Sequence, residues 1–142
     1  MANKLFESCN HIGIYVADRE KAIEFYEKVL GFTLLFRSDR KASGIKLAML
    51  ELGNCRIEVL ELPQDKDKAA AAPAAAATLN HFAVNVEDIE AAKAHVESFG
   101  YKFEERGIYD VPAFGDPNLD LLVAFFHGPN GERIELFREI RK

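Results

Sequence analysis

Two histidines and two glutamates stand at matching places in the two halves of this 142-residue chain, and they form its clearest donor set for chemistry. His11 lies near the start of Asn10-His11-Ile12-Gly13-Ile14-Tyr15-Val16-Ala17-Asp18. His81 holds the same place in Asn80-His81-Phe82-Ala83-Val84-Asn85-Val86-Glu87-Asp88, 70 residues on (81 − 11). Glu58 and Glu135 form a second equivalent pair, each between aliphatic neighbours, Ile57 and Val59 or Ile134 and Leu136. Residues in a strand alternate between faces, so each acid points away from its aliphatic neighbours, as each His does from the apolar positions that follow it. If helices cover the aliphatic faces, the opposite faces form concave surfaces whose pairing brings all four groups to one cavity. Two imidazoles and two carboxylates, with room for water, suit a divalent metal ion such as Ni, Zn, Co or Mn, and suit Ca or Cu(I) poorly. A catalytic metal held by His11, Glu58, His81 and Glu135 is the expectation.

The elements that must position these groups follow from the same repeat. Ile12, Ile14 and Val16 alternate with His11, Gly13 and Tyr15 as in a half-buried strand. Asp18 and Asp88 sit where a carboxylate can cap the first turn of a helix. In the first helix Ala22, Ile23, Tyr26, Val29 and Leu30 form one apolar stripe, and Gly31 and Gly100 are placed to end the two helices. The spacing then predicts strands over 32–37, 45–52 and 55–62, with Gly53-Asn54 as a hairpin turn. The second half predicts strands over 101–106, 120–127 and 132–139, with a long loop after 106 and a Gly128-Pro129-Asn130-Gly131 turn. Residues 7–63 and 79–140 thus read as two βαβββ modules of one 1–142 domain. Residues 64–78, rich in Ala with Pro73, read as a linker in which a short helix near Pro73 is allowed. The fold class is α+β, two such modules forming a cupped mixed sheet.

Composition narrows the function classes. Eighteen Lys and Arg against 23 Asp and Glu give a net charge of −5 without a basic stripe, which argues against nucleic acid as a partner. No apolar run approaches the ~20 residues that span a bilayer, and the N-terminus lacks a secretory pattern, so no membrane partner and a cytoplasmic location are expected. Cys9 and Cys55 are too isolated for a metal site or a disulfide framework and read as small buried residues. His95 and His127 read as surface or turn residues, and Asp65-Lys66-Asp67-Lys68 as a solvated charge run. Phe125 and Phe126 point to opposite faces, one toward the cavity and the other toward the core.

The motifs His11-Ile-Gly-Ile-Tyr-Val-Ala-Asp18, Phe25-Tyr26-Glu-Lys-Val-Leu-Gly31-Phe32 and Gly128-Pro-Asn-Gly-Glu-Arg-Ile-Glu135-Leu136 resemble those of the vicinal oxygen chelate superfamily. This superfamily includes glyoxalase I (lactoylglutathione lyase), bleomycin-resistance proteins, dioxygenases and methylmalonyl-CoA epimerase. The resemblance covers nearly the whole chain and implies paired βαβββ modules around a metal. His11, Glu58, His81 and Glu135 match the four ligands of glyoxalase I-like members. It further implies a metal-dependent lyase or isomerase that removes a proton beside a carbonyl or hemithioacetal carbon, giving an enediolate or enolate. Glu135 is then the catalytic base and Glu58 the ligand serving the other face.

The resemblance implies a small-molecule substrate, a thiol adduct of a 2-oxoaldehyde or an acyl thioester, and a homodimer. Where glutathione-using members carry an Arg and an Asn, this chain has Tyr15 and Leu62, and Arg37, Arg40 or Lys41 are the candidate substitutes for a carboxylate anchor. Two alternatives accompany the glyoxalase I-like reading: a methylmalonyl-CoA epimerase-like enzyme, with one acid for each face of the carbon, and a metal-free binding protein whose polar residues only line a pocket.

Overall fold

Alternating aliphatics make strands and capped apolar stripes make helices, and the computed structural model has them in the expected order twice. It describes residues 10–41, 43–63, 79, 81–114 and 116–142. Cys9, the 64–78 linker with its charge run, and the helix expected near Pro73 lie outside the described residues. The chain divides into two compact units, residues 1–71 and 72–142.

The first unit runs β1 (Ile12–Val16), α1 (Arg19–Lys28), β2 (Thr33–Asp39), β3 (Lys46–Leu52) and β4 (Cys55–Glu61). Its sheet has the order β1-β4-β3-β2, with β1 parallel to β4 and the other neighbours antiparallel. Because β1 and β2 are opposite edges, α1 must cross the sheet to join them. It packs across β4, β3 and β2, with Ala22, Ile23, Phe25 and Tyr26 buried. Asp18 caps α1 by accepting from the Lys21 amide at 3.0 Å. Gly31, at φ +75°, turns the chain out of the helix, and the Phe32 amide closes that turn on the Tyr26 carbonyl at 2.9 Å. Phe32 therefore belongs to the helix cap, and β2 begins one residue later than the alternation suggests.

The second unit repeats the plan with β5 (Phe82–Asn85), α2 (Ile89–Ser98), β6 (Tyr109–Val111), β7 (Leu119–His127) and β8 (Arg133–Arg141), ordered β5-β8-β7-β6. Asp88 caps α2 through the Ala91 amide at 3.0 Å, and Ile89 and Val96 are its buried anchors. The expected 101–106 strand is corrected. Tyr101 and Phe103 do send their rings to Phe126, which explains the period-two spacing, but Phe103 makes only an isolated bridge to Phe126. The ladder stops because the chain turns at Gly107, φ +64°, where the Gly107 amide bonds to the Glu104 carbonyl at 2.9 Å. The second strand of the module is instead β6, inside the segment expected to be loop, pairing with Leu121–Val123.

Cys55 is half-buried at the start of β4, not fully buried as expected. His95 is exposed on α2, with its ring edge-on to Phe99.

Candidate functional site

Register decides which side chains share a face with the two glutamates. In the first unit Glu58 of β4 lies between Gly13 of β1 and Met49 of β3, and Met49 pairs with Phe36 of β2, so these four residues form one row across the sheet. In the second unit Glu135 of β8 lies between Ala83 of β5 and Phe125 of β7. Each acid thus has a residue with little or no side chain on one flank and a bulky apolar one on the other. A Cβ added to Gly13 would stand 3.9 Å from Glu58 Oε1 and 3.4 Å from Leu60 Cδ1, so glycine keeps the space beside the carboxylate open.

Each histidine meets the glutamate of its own unit. His11 Nε2 lies 3.8 Å from Glu58 Oε1, and His81 Nε2 lies 3.3 Å from Glu135 Oε1. His11 Nδ1 donates to Asn10 Oδ1 at 2.8 Å, since an amide oxygen can only accept, and this tautomer puts the ring's lone pair on Nε2, the nitrogen nearer Glu58. Among the described residues no group of three or more His, Cys, Asp or Glu side chains is gathered about one point; the predicted ligands come in twos, one pair in each unit.

The two pairs differ in environment. Glu58 is half-buried, whereas Glu135 is a buried charged residue, 8% exposed. Desolvation pushes the Glu135 carboxyl above the usual carboxylate range, opposed by the nearby His81 and Arg133. Its face is also the more apolar: Leu119, Leu121, Val123 and Phe125 cluster there with Tyr109, Val111 and Phe137. Of the two phenylalanines, Phe125 is the one beside Glu135, edge-on to the His81 ring at 5.4 Å, and Phe126 lies on the other face, fully buried against Tyr101 and Phe103.

The donor types and spacings fit a metal. Two ligands each ~2.1 Å from one ion in tetrahedral or octahedral geometry stand about 3.0–3.4 Å apart, and the His–Glu separations of 3.3 and 3.8 Å are at or just beyond that distance. The candidate carboxylate anchors fare less well. Arg37 projects to the helix side, where it forms a two-pronged pair with Glu20 of α1 (Nη2 to Oε1 2.7 Å, Nε to both oxygens 3.1 Å), so it is removed as an anchor on the Glu58 face. Arg40 and Lys41 are exposed at the turn between β2 and β3. Tyr15 is 44% exposed, on the same face as Gly13 and paired with Leu60.

A charged cluster that no sequence motif announces adjoins the His81–Glu135 pair. Glu104 accepts from Arg133 Nε and Nη2, both at 2.8 Å, and lies 3.0 Å from His127 Nε2. Arg133 also covers the Phe125 ring at 3.8 Å. His127 is exposed, as expected, yet belongs to this cluster. The signal available was the Arg133-x-Glu135 spacing, which puts both on one strand face; Glu104 had none, because its segment is irregular.

Comparison with known proteins agrees with this architecture. A family model described as the Glyoxalase/Bleomycin resistance protein/Dioxygenase superfamily matches residues 8–136. The chain is 32% identical over 131 residues to the uncharacterized protein YaeR of Escherichia coli (strain K12), covering 92% of this chain and 95% of that one. It is 30% identical over 122 residues to the ethylmalonyl-CoA/methylmalonyl-CoA epimerase of Cereibacter sphaeroides, covering 84% and 90%. Among solved structures, the glyoxalase family protein from Enterococcus faecalis superimposes with a TM-score of 0.71 at 27% identity, over 93% of this chain and 98% of that one. With its duplicated βαβββ units, its motifs and a family match spanning most of its length, the chain belongs to the Glyoxalase/Bleomycin resistance protein/Dioxygenase superfamily.

Proposed function

We propose that this protein is a divalent-metal-dependent enzyme that moves a proton at a carbon beside a thioester carbonyl or a hemithioacetal. His11, Glu58, His81 and Glu135 are its protein ligands. The observation that carries the reading is the repeated His–Glu pair, each acid between an open flank and an apolar wall. The bound metal supplies Lewis-acid stabilisation of the negative charge that develops on the substrate oxygen. Glu135 takes the proton and returns it, since a ligand carboxylate is close enough to the reacting carbon to serve. Phe125 excludes water on its flank, and Glu58 offers a second carboxylate for the opposite face of the carbon.

Glyoxalase I-like isomerisation of a 2-oxoaldehyde adduct is the first reading, carried by the four-residue set and the closing motif. A specific observation favours epimerisation of an acyl thioester as the second: a relative at 30% identity over most of both chains is named as an epimerase of that kind. Exposed Leu35 and Phe36 on edge strand β2 support a homodimer as the working assembly.

The deciding experiment has two parts. Protein purified without chelator is assayed for metal, with stoichiometric divalent ion expected and its loss in Glu58→Ala and Glu135→Ala. The holoprotein is then incubated in heavy water with methylglyoxal plus thiols or with acyl-CoA thioesters. Deuterium at the carbon beside the carbonyl identifies which substrate class turns over. Absence of metal under every reconstitution would leave the chain a small-molecule binder.

A further inference from the structure

We infer that Arg133 is a positioning residue for the His81–Glu135 pair: clamped by Glu104, its guanidinium plane fixes the Phe125 ring against the His81 imidazole and so sets how His81 faces Glu135. The role rests on the metal-dependent reading given above, in which His81 and Glu135 are ligands.

Three contacts in series carry the argument. Glu104 takes two guanidinium N–H groups at 2.8 Å each, a fork that fixes the plane of the group as well as its place. That plane lies over Phe125 with Cζ 3.8 Å from the ring centroid, a close cation–π contact. Phe125 then presents its ring to His81 at 5.4 Å and 86°, while Glu135, its register partner, reaches His81 Nε2 at 3.3 Å. Arg133 is two residues before Glu135 on β8 and shares its face, so the clamp and the acid move together.

Glu104 is itself held firmly. Arg133, and then the adjacent His127, keep its carboxyl below the ordinary range, so it is anionic at neutral pH. It sits in the 101–107 segment that departs from strand geometry, and the Glu104 amide bonds back to the Phe125 carbonyl at 2.8 Å. The irregular segment is thus fastened to the residue whose ring it indirectly orients. None of these side chains supplies a proton or a ligand in the proposed chemistry. Their effect is on geometry, where an error of ~1 Å is costly.

The test uses the full chain, wild type beside Arg133→Lys and Glu104→Gln. Lysine keeps the charge but cannot form the planar fork; glutamine loosens the clamp while leaving the guanidinium in place. Two quantities are read, the His81 ring resonances of metal-free protein by NMR and the affinity for cobalt(II) by absorption titration. Both variants are expected to shift the His81 resonances and to weaken cobalt(II) binding about tenfold, with near-wild-type circular dichroism. If Arg133→Lys fails to fold, Glu104→Gln carries the same comparison. Unmoved His81 resonances in a folded variant would overturn the inference, as would unchanged cobalt(II) affinity where wild type binds the ion. Wild type that binds no cobalt(II) would instead remove the metal-dependent reading, and the metal-free resonances would still decide the positioning role.

Discussion

A buried carboxylate is tuned by opposing influences, and Glu135 feels both kinds. Desolvation raises its proton affinity, while His81 and Arg133 oppose protonation. Glu135→Gln keeps size and removes the carboxylate that is proposed as the base. Solvent exchange at the substrate carbon is expected to fall by about 10²–10⁴-fold, measured by mass spectrometry of product formed in heavy water. Gly13 makes a different point. Valine is acceptable to a strand, so Gly13→Val should leave the melting temperature nearly unchanged, but its branched side chain enters the space beside Glu58 Oε1. Metal affinity is expected to drop about tenfold, read by the same cobalt(II) titration. Gly13 and Ala83 fill the same place in the repeat, but nothing in the sequence marks that place as a flank of the acid. Only the register of β1 on β4 and of β5 on β8 shows that each faces a glutamate.

The helices begin where their capping aspartates dictate. Asp18→Ala and Asp88→Ala each remove one acceptor from a first-turn amide, and each is expected to cost about 1 kcal/mol in urea denaturation, without shifting the strands. The 101–107 segment behaves differently, since side chains fasten it more than a ladder does. Glu104 has a folded-state pKa below its unfolded value, so the stability it contributes is present above the unfolded pKa and is lost as pH falls through the folded one. Glu104→Gln is therefore expected to destabilise the protein by about 1 kcal/mol at neutral pH, a value discounted for partial exposure, and by progressively less below about pH 4.5. Thermal melts of both proteins from pH 3 to pH 7 measure the convergence. The contrast between the helices and this segment also marks the reach of pattern reading. Caps, stripes and hairpin turns are local, and they were found within a residue or two. The second strand of the second unit is β6 and not 101–106, because Tyr101 and Phe103 carry strand-like spacing for a packing reason, both rings reaching Phe126.

At the level of the whole chain, the proposed ligands are distributed evenly between two units that share one topology. A metal that binds only the folded protein must stabilise it by mass action. At a free ion concentration about 100 times the dissociation constant, the expected gain is ~2.7 kcal/mol, seen as a raised melting temperature that a chelator abolishes. The four-alanine variant of His11, Glu58, His81 and Glu135 should show no such increment. Among the described residues no helix is long and apolar enough to cross a membrane, in keeping with a composition that has no such run.

The amino-acid sequence by itself determined the duplication, the βαβββ order and the placing of a His and a Glu at matching positions in each half. These are periodic and repeated signals, and periodicity survives without knowledge of contacts. Tertiary structure alone decided that Arg37 turns to Glu20 on the helix side, that β6 and not the 101–106 segment completes the second sheet, and that Glu104 meets Arg133 across 29 residues. Those outcomes depend on register and on an irregular stretch of backbone. Each is fixed by which distant groups come within hydrogen-bond reach, and no local pattern in the chain carries that information.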